Sequence, residues 1–129
     1  MKVDELDKPA VPVMYALLIL DVARDHGAEA GEVLARAGIP ATLVDDPAGR
    51  LSANQAATLL LSAVRVSGEP GFGYEIGLRS TATSHGIMGY GLLSSSTIRE
   101  AIELGVEYLR LLLPMMAMEL RVEDTTASI

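Results

Sequence analysis

Few side chains in this sequence could carry out chemistry. The chain contains two histidines, His26 and His85, and no cysteine. No HExxH sequence, paired histidines or mixed cysteine and histidine spacing is present, and these are the patterns that usually hold a metal ion. The lack of cysteine also excludes disulfides and thiol nucleophiles. We therefore predict no metal site and no cofactor.

Two stretches contain residue types that are found in catalytic or phosphate-binding sites. The serines at residues 94–96 lack the glycine-flanked turn that exposes a nucleophile, and their position ahead of a helix predicts that they are caps. Residues 68–77 are rich in glycine but have neither the lysine of a P-loop nor a preceding strand. A hydrolase or isomerase with His85 as its base would need an acid partner or nucleophile, and none lies at a recognisable spacing. We therefore predict that the chain is not an enzyme.

The best candidate for a binding site is the stretch SHGIMGY at residues 84–90. It places an imidazole and a phenol five residues apart among glycines, which permit close approach of backbone or ligand. We predict that His85, Met88 and Tyr90 contact a small molecule. The alternative is that His85 makes a local hydrogen bond and Tyr90 fills the core, and residue types alone favour this alternative slightly.

The elements that would position these residues begin with a helical hairpin. Residues 11–24 contain few helix breakers and predict a first helix, and residues 28–37 predict a second one that ends at Gly38. On the first helix, spacings of three and four predict a single buried face. That face consists of Met14, Leu17, Leu18 and Val22.

The middle of the chain predicts a loop and then a long helix. Residues 38–51 are dense in glycine, proline and aspartate, which favour turns. Ser52 with Gln55 forms a capping-box pattern, so the next helix begins there and continues to Val66. A shorter amphipathic piece at residues 74–78 predicts one or two helical turns.

A second capping box, Thr97 with Glu100, predicts the longest helix, from Ile98 to about Leu113, with Pro114 ending it. Its predicted buried residues are Ile98, Ala101, Ile102, Gly105, Tyr108, Leu109 and Leu112. Beyond it, Met118, Leu120 and Val122 alternate with charged residues, as in a strand with one buried face.

The predicted fold class is therefore α+β, mostly helical, with a C-terminal β-strand region. Only one strand is visible, within residues 117–129. A lone strand cannot satisfy its own backbone donors and acceptors. We expect it to pair with residues beyond this sequence or with another copy of the chain, so that the 129 residues are an incomplete domain or part of an oligomer.

Composition and charge indicate which classes of partner this chain does not bind. Half of the 129 residues are hydrophobic, which is enough for one packed domain, and the formal charge of −7 repels a phosphate backbone. In the second predicted helix, Glu29 and Glu32 are acidic and Arg36 is the single basic residue. Contacts in a DNA groove need basic and amide side chains, so this helix is not predicted to be part of a helix-turn-helix.

No apolar run reaches the roughly 18 residues of a membrane span, and the sequence has no pattern of a secretory signal. We expect a cytoplasmic protein that does not itself bind DNA or a membrane.

Three sequence segments together resemble a known family. They are Gly77-Leu78, then HGIMGY at residues 85–90, then SSTIREA at residues 95–101. The series resembles the N-terminal domain of bacterial AraC-type transcriptional regulators, in the branch that includes ornithine-utilisation regulators. The likeness spans nearly the whole chain, and HGxxGY followed by the serine–threonine cap is its most specific part.

The resemblance implies an effector-sensing and dimerisation domain at residues 1–129, which would continue past Ile129. It also implies a separate C-terminal domain with two helix-turn-helix units, outside this sequence, that binds the promoter. The expected partners are a small-molecule effector and a second copy of the chain. The alternative function is a structural oligomerisation module without a ligand.

Overall fold

The computed structural model of the chain describes residues 3–113, 116–123 and 126–128. They form two compact units, of which the first ends at Ser80 and the second begins at Thr81. The first unit contains α1 (Val3–Leu6), β1 (Pro9–Pro12), α2 (Val13–Asp25), α3 (Ala30–Ala37), α4 (Ala41–Val44), β2 (Arg50–Ser52), α5 (Ala53–Ser67) and α6 (Phe72–Arg79). The second contains a 3-10 turn (Ala82–His85), α7 (Ile87–Ser94), α8 (Ile98–Leu112), β3 (Arg121–Glu123) and β4 (Thr126–Ser128).

A small antiparallel sheet opens the first unit. Strand β1 pairs with β2, with Val11 opposite Leu51 and Pro12 opposite Arg50. Proline is tolerated here because each strand of a two-stranded sheet has a free edge. The prediction of a helix from Val11 and of an irregular loop up to Leu51 is wrong at these residues, and that loop also contains α4.

The core of the first unit forms where α5 packs against α2 and α3. The predicted face of α2 is largely wrong, because Met14 and Leu17 are exposed and only Val22 of the predicted set is fully buried. Residues 13–20 of this helix are all apolar, so spacing alone does not distinguish its two sides. The buried residues of α2 are Val13, Ala16, Ile19, Leu20, Val22 and Ala23.

The start of α5 confirms the capping box predicted at Ser52. The Gln55 amide donates to Ser52 Oγ at 3.1 Å, and the Ser52 amide donates to Gln55 Oε1 at 2.9 Å. Both residues thus satisfy amides that have no partner within the helix. The predicted piece at residues 74–78 is a longer helix, α6, and its first residue, Phe72, is completely buried.

In the second unit α8 is present as predicted, whereas α7 was not predicted. Gly89 and Gly91 lower the helix propensity of α7, which hides it from a sequence-based prediction. The predicted helix end at Pro114 and the side chain of Leu112 lie outside the described residues.

The C-terminal strand region is a hairpin and not a single strand. Strand β3 pairs antiparallel with β4, with Arg121 opposite Ser128 and Glu123 opposite Thr126. All three residues of β3 are exposed, so the alternation around Val122 does not mark a buried face. An unpaired strand therefore no longer supports the expectation of an incomplete domain.

Burial differs sharply between the units. Among the described residues, every apolar side chain that is fully buried lies between Val11 and Phe72, in the first unit. On α8, Ile98 is 80% exposed and Tyr108 41% exposed, so their predicted burial is wrong. The fold class is nevertheless α+β and mostly helical, as predicted. No helix among the described residues is long and apolar enough to cross a membrane.

Candidate functional site

The glycines of the HGIMGY sequence fix the backbone around the predicted site. Gly86 joins the 3-10 turn to α7 with φ 61° and ψ −138°, a backbone conformation that is unfavourable for residues with a Cβ atom. Gly89 faces the turn so closely that a Cβ there would collide with the carbonyl of Ala82. The backbone conformation therefore explains Gly86, and the close packing of α7 on the turn that ends at His85 explains Gly89.

The polar residues between α7 and α8 connect the two helices. The hydroxyls of Ser94 and Ser95 donate to the carbonyls of Tyr90 and Gly91, at 2.8 and 3.1 Å, so they satisfy carbonyls in the last turn of α7. The predicted role of these serines as caps of the following helix is wrong, because the α8 N-cap is Thr97.

Thr97 caps α8 by a variant of the predicted capping box. Its Oγ1 accepts from the Glu100 amide at 3.2 Å, as predicted. The Glu100 carboxylate, however, accepts from the amide of Ser96 at 2.9 Å, one residue before the expected position. The chain thus turns tightly from α7 into α8, and the two helices contact each other.

An open, apolar groove of about 360 Å³ lies between these two helices. His85 and Met88 line it, and among the described residues of the lining His85 is the one that is ionisable. The remaining lining residues are Leu92, Ile98, Ala101, Ile102, Gly105, Val106, Leu109 and Met118. The structure thus brings two of the three predicted site residues into one concave surface.

Tyr90 lies elsewhere. Its side chain is 62% exposed, and it is outside the set of described residues that line the groove. The alternative of a core tyrosine also disagrees with this exposure. On α7, positions 88 and 92 face the groove one helical turn apart, whereas position 90 points to another side of the helix.

A second, charged depression of about 620 Å³ borders the apolar groove and shares Val106 and Met118 with it. It lies between α8 and the segment that leads to β3. The charged residues in the described part of its lining are Glu103, Glu107, Glu119 and Arg110. Polar groups are thus available at one end of an otherwise apolar surface.

The first unit contains a titratable cluster that the sequence analysis missed. His26, just after α2, places Nε2 2.8 Å from Glu75 Oε1 and Nδ1 3.9 Å from Glu69 Oε2. Arg79 Nη2 donates to Asp25 Oδ2 at 2.6 Å, and this hydrogen bond raises the pKa of the Arg79 guanidinium. Because residue 26 is far in sequence from residues 69 and 75, no local sequence motif indicates the cluster.

Ligand-binding sites are typically concave and mostly apolar, with few polar groups, and the groove of the second unit has these properties. The sequence also matches a family model, the arabinose-binding domain of AraC transcription regulators, N-terminal, over residues 27–129. The chain belongs to this family, which confirms the predicted resemblance.

Curated relatives agree with this membership. An ornithine utilization regulator of Pseudomonas aeruginosa is 34% identical over 119 residues, which cover 92% of this chain and 35% of the relative. Uncharacterized HTH-type transcriptional regulators of Mycobacterium bovis and Mycobacterium tuberculosis are each 30% identical over 103 residues, or 78% of this chain and 29% of the relative. The chain thus spans about a third of the length of these relatives. No solved structure matches it significantly.

Proposed function

We propose that this chain is the effector-binding and dimerisation domain of an AraC-type transcriptional regulator. Both units would form one sensing domain over residues 1–129. Promoter contacts would come from a helix-turn-helix domain outside these residues, because the charge of −7 opposes binding of this part to DNA. The protein would act in the cytoplasm, without catalysis and without a cofactor.

The observation that carries this proposal is the groove beside His85. Its volume of about 360 Å³ falls within the roughly 300–1,000 Å³ typical of small-molecule sites. The second unit has no fully buried large apolar side chain among its described residues, so a ligand would cover surface that is otherwise in water. Such a ligand favours the conformation to which it binds best, and thereby shifts the population of the regulator's states.

The lining indicates the chemistry of the effector. Leucine, isoleucine and methionine side chains would bind an apolar body, and the His85 imidazole would make a polar contact. Ornithine belongs in the ligand panel because the Pseudomonas relative is named for ornithine utilization. The apolar lining favours a less polar ligand, and a charged end would extend toward Glu103 and Glu107.

A thermal-shift screen of the chain against metabolites tests the proposal, since a ligand specific for the folded state raises its stability. Ala101→Phe fills the groove and should abolish the shift given by any hit. Ala57→Phe places the same ring on an exposed position of α5 and serves as the matched control. A hit that stabilises both variants equally would contradict binding in the groove.

A second candidate function is ligand-free oligomerisation, and the exposed apolar side chains of the second unit favour it. Ile87 is 91% exposed on α7 and lies outside the apolar groove. Light scattering should show a dimer that Ile87→Glu dissociates if this face is an interface. A dimer without any ligand response in the screen would favour the structural function over sensing.

A further inference from the structure

We propose that His26, Glu69 and Glu75 in the first unit bind a divalent transition-metal ion such as Zn²⁺. These residues come from the end of α2, the turn before α6, and α6 itself. Each offers one ligand atom, and the three atoms lie within 4.8 Å of one another. The site shares no described residue with the groove beside His85, so a test of metal binding is independent of the proposed effector binding.

The distances suit an ion after small side-chain movements. Zinc binds imidazole nitrogen and carboxylate oxygen at about 2.0–2.2 Å, so two ligands at a tetrahedral ion lie about 3.4 Å apart. The 3.9 Å between His26 Nδ1 and Glu69 Oε2 is too long for a hydrogen bond but close to this separation. A single ion binds only one ring nitrogen, so an ion on Nδ1 leaves the 2.8 Å contact between Nε2 and Glu75 Oε1 as the hydrogen bond that orients the ring.

The carboxylates are held in place by their outer oxygens. Glu69 Oε1 accepts from the Gly71 amide at 2.7 Å, which leaves Oε2 directed toward His26. Glu75 Oε2 lies 3.7 Å from Arg79 Nη2, which leaves Oε1 for the imidazole. Between the two glutamates in sequence, Phe72 is completely buried and anchors the backbone. Outer-shell partners of this kind orient the ligands of metal sites and strengthen binding.

The local charge also favours a cation. Among the described residues, the ion pairs that make up this cluster join four carboxylates to two guanidinium groups, so that these groups leave two negative charges uncompensated. The carboxylates are those of Asp21, Asp25, Glu69 and Glu75, and the guanidinium groups are those of Arg24 and Arg79. The side chains of His26, Glu69 and Glu75 are only 27–31% exposed, so this charge is partly shielded from solvent. An imidazole ligand selects zinc or a similar transition metal over calcium or magnesium.

The test is calorimetric titration of the untagged, chelator-treated chain with ZnCl₂, with Co²⁺ absorption as a probe of the ligand geometry. We expect one Zn²⁺ per chain with a dissociation constant below about 100 µM. His26→Ala should weaken binding by about tenfold to a hundredfold or more, since even outer-shell partners contribute that much. His85→Ala removes the other histidine of the chain and should leave binding within about twofold.

Glu75→Gln serves as a second variant of nearly the same size, in case His26→Ala unfolds the protein, and circular dichroism checks the fold of each. It should also weaken Zn²⁺ binding at least tenfold. Equal affinity in His26→Ala and His85→Ala would overturn the proposal. So would the lack of any binding by the parent chain at 100 µM Zn²⁺, in which case the cluster is a network of polar contacts without a metal.

Discussion

Replacement of Gly89 by alanine tests most sharply how the second unit is assembled. In the structure the added methyl would collide with the carbonyl of Ala82 and lie 3.2 Å from the amide nitrogen of Thr83. Both are backbone atoms of the 3-10 turn, so neither can rotate away as a side chain would. The turn and α7 would have to separate, and the position of His85 would change with them.

The expected size follows from two opposing effects. Alanine in place of glycine inside a helix stabilises it by about 1 kcal/mol. Forcing an extra group into a well-packed contact costs about 1–3 kcal/mol, and a rigid backbone partner places Gly89→Ala at the upper end. We therefore expect a net loss of about 2 kcal/mol, or a drop in Tm of about 8 °C for a chain of this length.

Gly105→Ala in α8 is the matched control. In the described part of the chain, a Cβ at Gly105 would meet only Leu92 Cδ2, at an ordinary contact distance of 3.7 Å. This variant should therefore gain up to about 1 kcal/mol and raise Tm by a few degrees. Circular dichroism melts of the two variants should show opposite signs. Equal stabilisation by both would refute the close packing of α7 on the turn.

Three further predictions concern the first unit. Ser52→Ala should cost about 1 kcal/mol in thermal unfolding, because it removes the acceptor for the Gln55 amide. Phe72→Ala should cost about 3–5 kcal/mol in a urea melt, because the ring is completely buried. Burial raises the pKa of Tyr15 above 10.0, so its neutral form stabilises the fold below that pH, and this stability is lost as pH rises through the raised pKa. Tyr15→Phe should therefore flatten the fall of Tm from about pH 10 upward.

How much of the fold can be predicted from the sequence depends on local signals. The helices that begin at Ser52 and Thr97 are predictable because a cap and an apolar run are adjacent in sequence. The buried face of α2 is not predictable, because apolar residues occur on all sides of this helix and its packing against α5 decides which of them are buried. Strand β1 is hidden for a related reason, since its partner β2 is forty residues away.

The candidate site shows the same division. The HGIMGY stretch can be recognised from the sequence as a candidate binding site, and two of its residues, His85 and Met88, line one groove. Tyr90 was predicted as a site residue from its residue type. Its orientation depends on the helical geometry of α7, and α7 itself was not predicted because of its glycines. The cluster of His26, Glu69 and Glu75 forms only by tertiary packing, so spacing rules for metal sites cannot detect it.

The most direct test of effector binding is a titration of methyl-labelled methionine with a ligand from the screen, followed by NMR. Met88 and Met118 line the groove, whereas Met14 lies on α2 in the first unit. We predict that saturating ligand shifts the Met88 and Met118 methyl signals and leaves Met14 unchanged. A ligand that binds while both groove signals stay fixed would contradict the assignment of this groove as the effector site.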